Sequence, residues 1–310
     1  MRQNPALANA DITVVVTSCS RHDLLARTLE SFAIGARVIA RATTLLFLAA
    51  ALPCQTSPAG AAPQWTALFN GKDLGNFDIA YASHPVDGRP AGAMFEVKNG
   101  VVHTYPGQEA GSTQPSAYFQ TREAYSDFVL HVEYKWGDKK FAPRMMRLKD
   151  AGIIFHAYES TPNNWPHGIE CQIEEKDVGD LWLITTQADV ATKNVPPLPG
   201  PDPLQDHSPF YAPDGRVSAQ GDHDKYVRIR HGANLEKPGW NSVDVAVRGD
   251  SAVYLVNGQV NMRISHMRKW DAASNSWQKL DRGKILFQAE YAEISYRNIK
   301  IRPVQESDPK

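Results

Sequence analysis

Two neighbouring segments of the chain carry the side chains best suited to chemistry. Residues 151–158 (AGIIFHAY) and 168–175 (GIECQIEE) alternate in polarity with a period of two, which is typical of β-strands with one buried face. Between them lie residues that favour turns, namely Thr161, Pro162, Asn163, Asn164 and Pro166. The sequence therefore predicts a β-hairpin.

The polar face of this hairpin holds two carboxylates and an amide, from Glu170, Gln172 and Glu174. His156 has the parity to share this face if the strands pair without irregularity. Antiparallel sheets often keep one face in water, so a hydrated outer surface is one interpretation. The other is the floor of a polar cleft. The rings that follow favour the cleft because such rings stack on sugars, and they belong to Trp165, His167 and Trp182.

Composition and charge narrow the class of protein. The 310 residues are 42% hydrophobic with a formal net charge of −1, an ordinary composition for a globular protein. A near-neutral charge gives no reason to expect a nucleic-acid partner. Of the three cysteines, only Cys171 lies beyond residue 62. That part of the chain cannot form a disulfide within itself, and we interpret Cys171 as a small core residue.

The N-terminal region has the order of a secretory signal. Arg37 and Arg41 precede the apolar run 42–52, and a stretch of small residues ends at Ala61, as in the basic region, apolar core and cleavage site of signal peptides. The apolar run is shorter than the about 20 residues that cross a membrane. We therefore expect a signal peptide over residues 37–61, cleavage near Ala61, no membrane span, and a periplasmic or secreted domain.

The first 36 residues do not continue the later pattern. Residues 11–32 resemble the first strand and helix of a family 2 type glycosyltransferase, but no nucleotide-sugar domain follows, so no transferase activity can be inferred. A mis-set start codon or a frame junction is the simplest account. If Met1 is the true start, the signal lies too deep in the chain for normal export. A lipoprotein signal at Cys54 is disfavoured because Pro53 departs from the small residues usual there.

From residue 63 onward, short alternating runs are separated by turn signals. Asn99-Gly100 marks a tight hairpin, and residues 127–136 (DFVLHVEYKW) alternate again. The polar face of that run, with Glu133 and Lys135, either faces solvent or continues the cleft.

Many short strands with almost no helix predict an all-β fold, a two-sheet β-sandwich of the jelly-roll type. We expect it to occupy residues 63–304, followed by a tail over 305–310. Residues 196–214 are rich in Pro, Asp and Ser and predict a long loop. The spacing of Asp222, His223, Asp224 and His231 matches no recognised metal motif, so we interpret these residues as surface groups.

Six motifs in order resemble the 3-keto-disaccharide hydrolase family. They are LFNGKDL at 68–74, AGIIFHAY at 151–158, WPHGIECQIEEKDVGDLWLI at 165–184, PGWNSVDVAVRGD at 238–250, VNGQV at 256–260 and GKILFQAEYAEISYRNIKIRP at 283–303. The likeness covers nearly all of the predicted β-sandwich. The resemblance implies a concanavalin-like sandwich, which agrees with the strand pattern.

The resemblance also implies activity on a sugar already oxidised at C3. The ketone acidifies the C2 proton, a base removes that proton, the aglycone leaves from C1, and water is added. We assign His156 and Glu170 as the proton-transfer pair, Glu174 as the second carboxylate, and Gln172 as the group that orients a hydroxyl or the ketone. In an alternative, a divalent cation bridges the ketone and the 2-hydroxyl, and His156 and Glu170 are its ligands.

The expected partner is a small carbohydrate, an oxidised glucoside or disaccharide, supplied by an upstream sugar 3-dehydrogenase. The substrate-binding residues that we predict beside Gln172 are Trp165, Glu133, Lys135, Asp180, Trp182, Gln288, Glu290 and Arg297.

Two other functions are compatible with the sequence. Glu170-Cys171-Gln172-Ile173-Glu174 resembles the E-x-D-x-E strand of laminarinase-type glycosidases, in which two Glu side chains act as nucleophile and acid/base, although Gln172 replaces the central Asp. A lectin-like module that binds carbohydrate without catalysis is the second alternative, because sandwich folds serve both purposes.

Overall fold

The computed structural model describes residues 64–193, 208–231 and 233–310. The predicted extension, the signal peptide and most of the long loop lie outside the described residues. Within those ranges, no helix has the length and apolar character needed to cross a membrane.

The described chain is almost entirely β-structure. Its strands are β1 (Thr66–Ala67), β2 (Phe77–Tyr81), β3 (Phe95–Lys98), β4 (Val101–Thr104), β5 (Ala117–Thr121), β6 (Phe128–Lys140), β7 (Asp150–Ala157), β8 (Gly168–Glu174), β9 (Leu181–Ile184), β10 (Thr186–Lys193), β11 (Phe210–Tyr211), β12 (Arg216–Gly221), β13 (Tyr226–Ile229), β14 (Asn241–Arg248), β15 (Ser251–Val256), β16 (Gln259–Asp271), β17 (Ser276–Lys279), β18 (Lys284–Ala289) and β19 (Ala292–Pro303). One 3₁₀ turn, Ala91–Met94, precedes β3.

These strands form two antiparallel sheets, which confirms the predicted all-β sandwich. The larger sheet has the order β11-β10-β16-β15-β14-β6-β19-β4-β3, with β1, β12 and β17 paired to β19, β10 and β16. The smaller sheet has the order β13-β9-β8-β7-β18-β5-β2.

The core lies between the two sheets and contains many aromatic rings. Phe119 of β5 stacks on Phe287 of β18 with centroids 4.9 Å apart, and Tyr296 of β19 packs against Phe119 at 6.1 Å. Cys171 is buried in the same core, as the sequence predicted. Because alternate residues of a strand point to opposite faces, the other half of each strand in the smaller sheet faces outward.

The predicted hairpin of β7 and β8 is confirmed. Ile154 pairs with Glu170, Gly152 with Gln172 and Asp150 with Glu174. Ile153 of β7 and Cys171 of β8 face the core, so the three polar residues of β8 lie on the outer face of the smaller sheet.

The expectation that His156 shares this outer face is wrong. Between β7 and β18 the register shifts by one residue, since Leu286 pairs with Ile154 but Lys284 pairs with Ala157. His156 lies in this bulge with a φ of 50°. A β-bulge adds one residue and so reverses the alternation beyond it. The imidazole therefore enters the core, where its ring centroid is 6.2 Å from that of Phe128.

Candidate active site

A dense group of polar side chains occupies the outer face of the smaller sheet. We call it the carboxylate cluster, and its members are Arg144, Asp150, Glu170, Gln172, Glu174, Arg228, Gln288 and Glu290. Arg144 comes from the loop before β7, Glu290 follows β18, and the others lie on β7, β8, β13 and β18. Apart from Arg144 and Glu290, these residues are buried.

Gly152 gives the Glu170 side chain its position. A Cβ atom at Gly152 would lie 1.9 Å from Glu170 Oε1, far inside any contact distance. The carboxyl group therefore lies across the backbone of β7 and reaches β18, where Gln288 Nε2 donates a 2.8 Å hydrogen bond to Oε1. Within the described residues, Glu170 forms no ion pair.

Arg144 holds two further carboxyl groups together. Its Nη1 contacts both Asp150 and Glu290, and its side chain is 29% exposed. Asp150 also accepts a 2.7 Å hydrogen bond from Gln172 Nε2. A partly accessible guanidinium thus lies between two carboxyl groups on the same face as Glu170.

Glu174 is directed to the other side of β8. It accepts a 2.8 Å hydrogen bond from Arg228, whose guanidinium also contacts Asp177 at 3.1 Å and Asp180 at 2.6 Å. Asp180 is fully buried, and its other carboxylate oxygen accepts a hydrogen bond from the backbone of His231. Both oxygens of Asp180 are bonded within the protein, so the structure does not place this predicted sugar ligand at an accessible surface.

The cluster holds protons more tightly than free carboxyl groups do. Burial raises the pKa of Glu170 well above its usual value, and the charges of Glu290 and Asp150 raise it further. Burial and the Glu290 charge raise the pKa of Asp150 to about 8 against the opposing effect of Arg144. Burial, together with the Asp150 charge, raises that of Glu174 to about 8. The raised pKa favours the protonated form of Glu170, which is the form that can donate a proton.

Two amide oxygens in the cluster lack partners. Gln172 and Gln288 each donate an Nε2 hydrogen to a carboxyl group, while their Oε1 atoms are buried with no hydrogen bond within the described residues. A buried carbonyl oxygen is costly when unpaired. These atoms are therefore candidate acceptors for hydroxyl groups of a ligand.

Rings border the cluster at the end of the sheet near the β7–β8 loop. We call Tyr118, Trp165, Trp182 and Tyr226 the aromatic wall. Trp182 of β9 pairs with Glu170 across the sheet, and the Tyr118 and Trp165 centroids are 6.1 Å apart. The Tyr226 hydroxyl donates a 3.0 Å hydrogen bond to Asn164 in the loop. Trp165 and Trp182 pack on a small apolar group that includes Ile154 and Leu286.

The structure brings seven predicted site residues to this face. They are Glu170, Gln172, Glu174, Trp165, Trp182, Gln288 and Glu290.

The structure places Glu133, Lys135 and Arg297 elsewhere, so their predicted position in the cleft is wrong. They belong to β6 and β19 of the larger sheet. The alternate residues of β6 face the core, so these polar side chains point away from the smaller sheet. There Arg297 bonds to Glu133 at 2.6 Å and lies 3.9 Å from the centroid of the Trp240 ring.

The placement of His156 in the core also removes the geometric basis for its predicted role. Its carboxylate partner Glu170 lies on the opposite face of the smaller sheet, so the two residues cannot together hold a divalent cation in this structure. Burial lowers the pKa of His156 to about 4, so its imidazole is neutral and enclosed by rings.

Sequence reasoning missed Asp150, Arg144 and Arg228. Asp150 has the parity of Gly152 and Ile154, so extending the predicted strand 151–158 by one residue toward the N-terminus would have found it. Arg144 lies in an irregular loop, and Arg228 lies on a short edge strand. Neither has a local pattern that relates it to Glu170.

The carboxylate cluster is distinguished by its chemistry and lies apart from two large cavities. Two cavities of about 600 and 680 Å³ occur in the described structure. The first lies on the larger sheet beside Val217 and Arg263, and the second lies beside Trp136 and Glu236. Neither is lined by the carboxylate cluster.

Comparisons with known proteins give one family and several distant folds. The model of the 3-keto-alpha-glucoside-1,2-lyase-like domain matches residues 64–302. No curated protein matches the chain.

Similar solved structures share little sequence with this chain. A provisionally assigned glycosyl hydrolase from Parabacteroides distasonis is 17% identical, with 78% of this chain and 94% of that chain covered and a TM-score of 0.44. The Bacillus licheniformis beta-glucanase is 10% identical, with coverage of 79% and 100% and a TM-score of 0.37. The carbohydrate-binding module CBM66 from Bacillus subtilis is 8% identical, with coverage of 65% and 86% and a TM-score of 0.36.

Proposed function

The chain belongs to the 3-keto-alpha-glucoside-1,2-lyase-like family, and on this premise we propose that it cleaves 3-keto-glycosides by elimination followed by hydration. Membership makes it a carbohydrate-acting protein of that family. The observation that carries the proposal is Glu170, a buried carboxylic acid that Gln288 orients beside a guanidinium held between two carboxyl groups.

The proposed first step removes the proton at C2. Asp150 and Glu290 share Arg144, and the ionised carboxyl group of this pair is the base. The electrons of the C2–H bond form a C2=C3 bond, and the ketone oxygen becomes an enolate. A cation near that oxygen stabilises it by several kcal/mol, a contribution of about the size known for preorganised donors. Arg144 is partly exposed and is the cation suited to this task.

The proposed second step expels the aglycone. The enolate reforms the ketone, a C1=C2 bond forms, and the C1–O bond breaks. Glu170 donates its proton to the departing oxygen, a contribution of about 10²- to 10⁴-fold for a general acid. Water then adds across the double bond, with hydroxyl to C1 and a proton to C2. The net reaction consumes one water and yields a 3-keto sugar and the free aglycone.

The unpaired amide oxygens of Gln172 and Gln288 also support the proposal, because they offer binding contacts to the substrate. Each can accept a hydrogen bond from a hydroxyl group of the oxidised sugar. Because the substrate carries a ketone at C3, an enzyme that oxidises the sugar at that carbon must act first. With the signal-like N-terminal region, we propose that the reaction takes place after export.

A laminarinase-like retaining mechanism is less compatible with this geometry. Such enzymes need two carboxyl groups about 5–5.5 Å apart. Here Glu170 is directed to β18 and Glu174 to Arg228 of β13, on opposite sides of β8. Arg228 also engages the Glu174 carboxylate that would otherwise act as nucleophile or acid.

The test is release of aglycone by the full chain from a 3-keto-glucoside and from the unoxidised glucoside, each with and without a chelator. We expect release from the keto sugar alone and no effect of the chelator. Release from the unoxidised glucoside would favour the laminarinase-like mechanism. Binding of sugar without release from either would make the chain a lectin-like module.

A further inference from the structure

The outer face of the smaller sheet has two halves of different character. At one end lie the charged groups of the cluster, with Asp150 and Glu174 paired across β7 and β8. At the other end Ile154, Ala157, Ile184 and Leu286 form an apolar group beneath the aromatic wall. Glu170 lies at the boundary, because its cross-strand neighbours are Ile154 and Trp182.

Several polar atoms near the aromatic wall already bond to one another, whereas the buried Trp182 Nε1 has no hydrogen-bond partner within the described residues. Asn164 Oδ1 accepts hydrogen bonds from the backbone of Trp165 at 2.9 Å and from the Tyr226 hydroxyl at 3.0 Å. Asn163 and His84 contact each other at 3.3 Å. The Arg228 guanidinium lies 5.6 Å from the centroid of the Trp182 ring, and three carboxylates neutralise it.

The wall nevertheless retains accessible apolar surface. Tyr226 is 42% exposed, although it is a large aromatic side chain. Trp165 and Trp182 are only half-buried. An exposed group of rings beside a candidate active site is a characteristic of binding surfaces.

From this division we infer that the aglycone is a flat apolar group such as an aryl ring, and that it lies against Trp165, Trp182 and Tyr226. The inference rests on the proposed function and adds the class of leaving group. The oxidised sugar occupies the charged half, and the glycosidic oxygen reaches Glu170 at the boundary. A second sugar in the wall would need a partner for each hydroxyl group, whereas an aryl ring needs only stacking.

Kinetics of matched variants test the inference. The two substrates are phenyl 3-keto-glucoside and a 3-keto-disaccharide with a glucose leaving group. We expect Trp165→Ala to lower kcat/KM for the phenyl substrate about tenfold, mainly through KM, and to change the disaccharide value less than twofold. Tyr226→Phe keeps the ring but loses the bond to Asn164, so it should retain the phenyl preference, while Tyr226→Ala should reduce it. Phenol and glucose differ in reactivity as leaving groups. Each variant is compared with wild type on the same substrate, so this difference cancels.

Trp240→Ala is the control, because that ring lies on the larger sheet beside Arg297 and should leave the ratio of the two kcat/KM values unchanged. An equal loss for both substrates in Trp165→Ala would overturn the inference.

A binding measurement separates this inference from the proposed function. In calorimetric titrations of the wild type, phenol should bind at least tenfold more tightly than glucose, and Trp165→Ala should abolish the difference. Phenol binding without turnover of any keto sugar would reject the proposed reaction but retain the apolar subsite. Turnover of keto sugars with equal binding of phenol and glucose would reject the aryl aglycone and retain the reaction.

Discussion

At the scale of single residues, the chemistry depends on a glycine as much as on an acid. The pKa of Glu170 is raised well above its usual value because the carboxyl group is buried near the charges of Glu290 and Asp150, against the smaller opposing effect of Arg144. Glu170 can take this position only because Gly152 leaves space for its carboxyl group. The acid and the glycine are cross-strand diagonal neighbours, so the arrangement is a property of the hairpin.

Replacing Glu170 by Gln tests the proposed acid. The amide keeps the size of the side chain and can still bond to Gln288, but it has no proton to donate. We expect kcat on a 3-keto-glucoside to fall about 10²- to 10⁴-fold with KM nearly unchanged. Glu133→Gln on the larger sheet is the control and should keep full activity. An active Glu170→Gln variant would remove Glu170 from the mechanism.

Gly152→Ala tests the position of the acid. Because the new methyl group would occupy the space of Glu170 Oε1, the carboxyl group must move away from Gln288. Misplacement of about 1 Å can cost about a hundredfold in rate, and we expect a loss of that size. Gly92→Ala, whose methyl group would meet Ile79 at an ordinary 3.9 Å, should retain activity. Circular dichroism of both variants checks that the fold is intact.

At the scale of secondary-structure elements, one bulge in β7 decides which groups meet. The alternation of AGIIFHAY correctly predicts a strand, and its first five residues keep the expected parity. The extra residue opposite Ile285 then turns His156 into the core. Both ring nitrogens of His156 lack a hydrogen-bond partner among the described residues, which leaves a buried imidazole that cannot readily take up a proton.

His156 should therefore make stability depend on pH. Its pKa is about 4 in the folded protein, against an ordinary value of 6.5 that applies to the unfolded chain, so the unfolded chain binds a proton more readily between these pH values. The contribution of His156 to stability is present above pH 6.5 and is lost as pH falls toward 4. The full loss is about 3 kcal/mol.

The measurement is the urea midpoint of wild type and His156→Leu at pH 7 and pH 5. Carboxyl groups with raised pKa values make the folded protein more stable as the pH falls. Wild type and variant share these groups, so their effect cancels in the difference between the two proteins. We expect the stability of the variant, relative to that of wild type, to be higher at pH 5 than at pH 7. A difference that is independent of pH would contradict the buried neutral imidazole.

At the scale of the whole molecule, the two sheets use their outer faces differently. The smaller sheet carries buried charges, and Arg228 connects β13 to Glu174 of β8 and to Asp177 and Asp180 before β9. The larger sheet carries partly exposed pairs such as Arg297 with Glu133. The ion pairs on the two faces therefore differ in burial. We expect them to contribute different amounts to the free energy of unfolding.

Two arginine variants measure this difference. Arg228→Met leaves three buried carboxylates without their shared cation, so we expect a loss of about 3–5 kcal/mol in the free energy of unfolding. Arg297→Met removes a pair whose arginine is 37% exposed, and the expected loss is below about 1 kcal/mol. Urea denaturation at pH 7 gives both values. Equal losses in the free energy of unfolding would show that burial does not change how much an ion pair contributes to stability.

Much of the fold could be predicted because its signals are local. The period-two alternation and the turn residues gave the strands, the β7–β8 hairpin and the sandwich class. The same alternation correctly placed Glu170, Gln172 and Glu174 on one face. It failed for Glu133, Lys135 and Arg297, because alternation shows that a side chain faces away from the core but does not say in which of two sheets its strand lies.

The class of fold, the family and the polar strand at the centre of the candidate site follow from the amino-acid sequence, since each depends on residues close in the chain. The identity of the side chains around Glu170 follows instead from how the chain folds. Arg144, Asp150 and Gln288 come from separate parts of the chain, and pairing of strands distant in sequence brings them together. The bulge at His156 was likewise decided by long-range pairing with β18, because one added residue in a ladder reverses the direction of a side chain without leaving a pattern in the sequence.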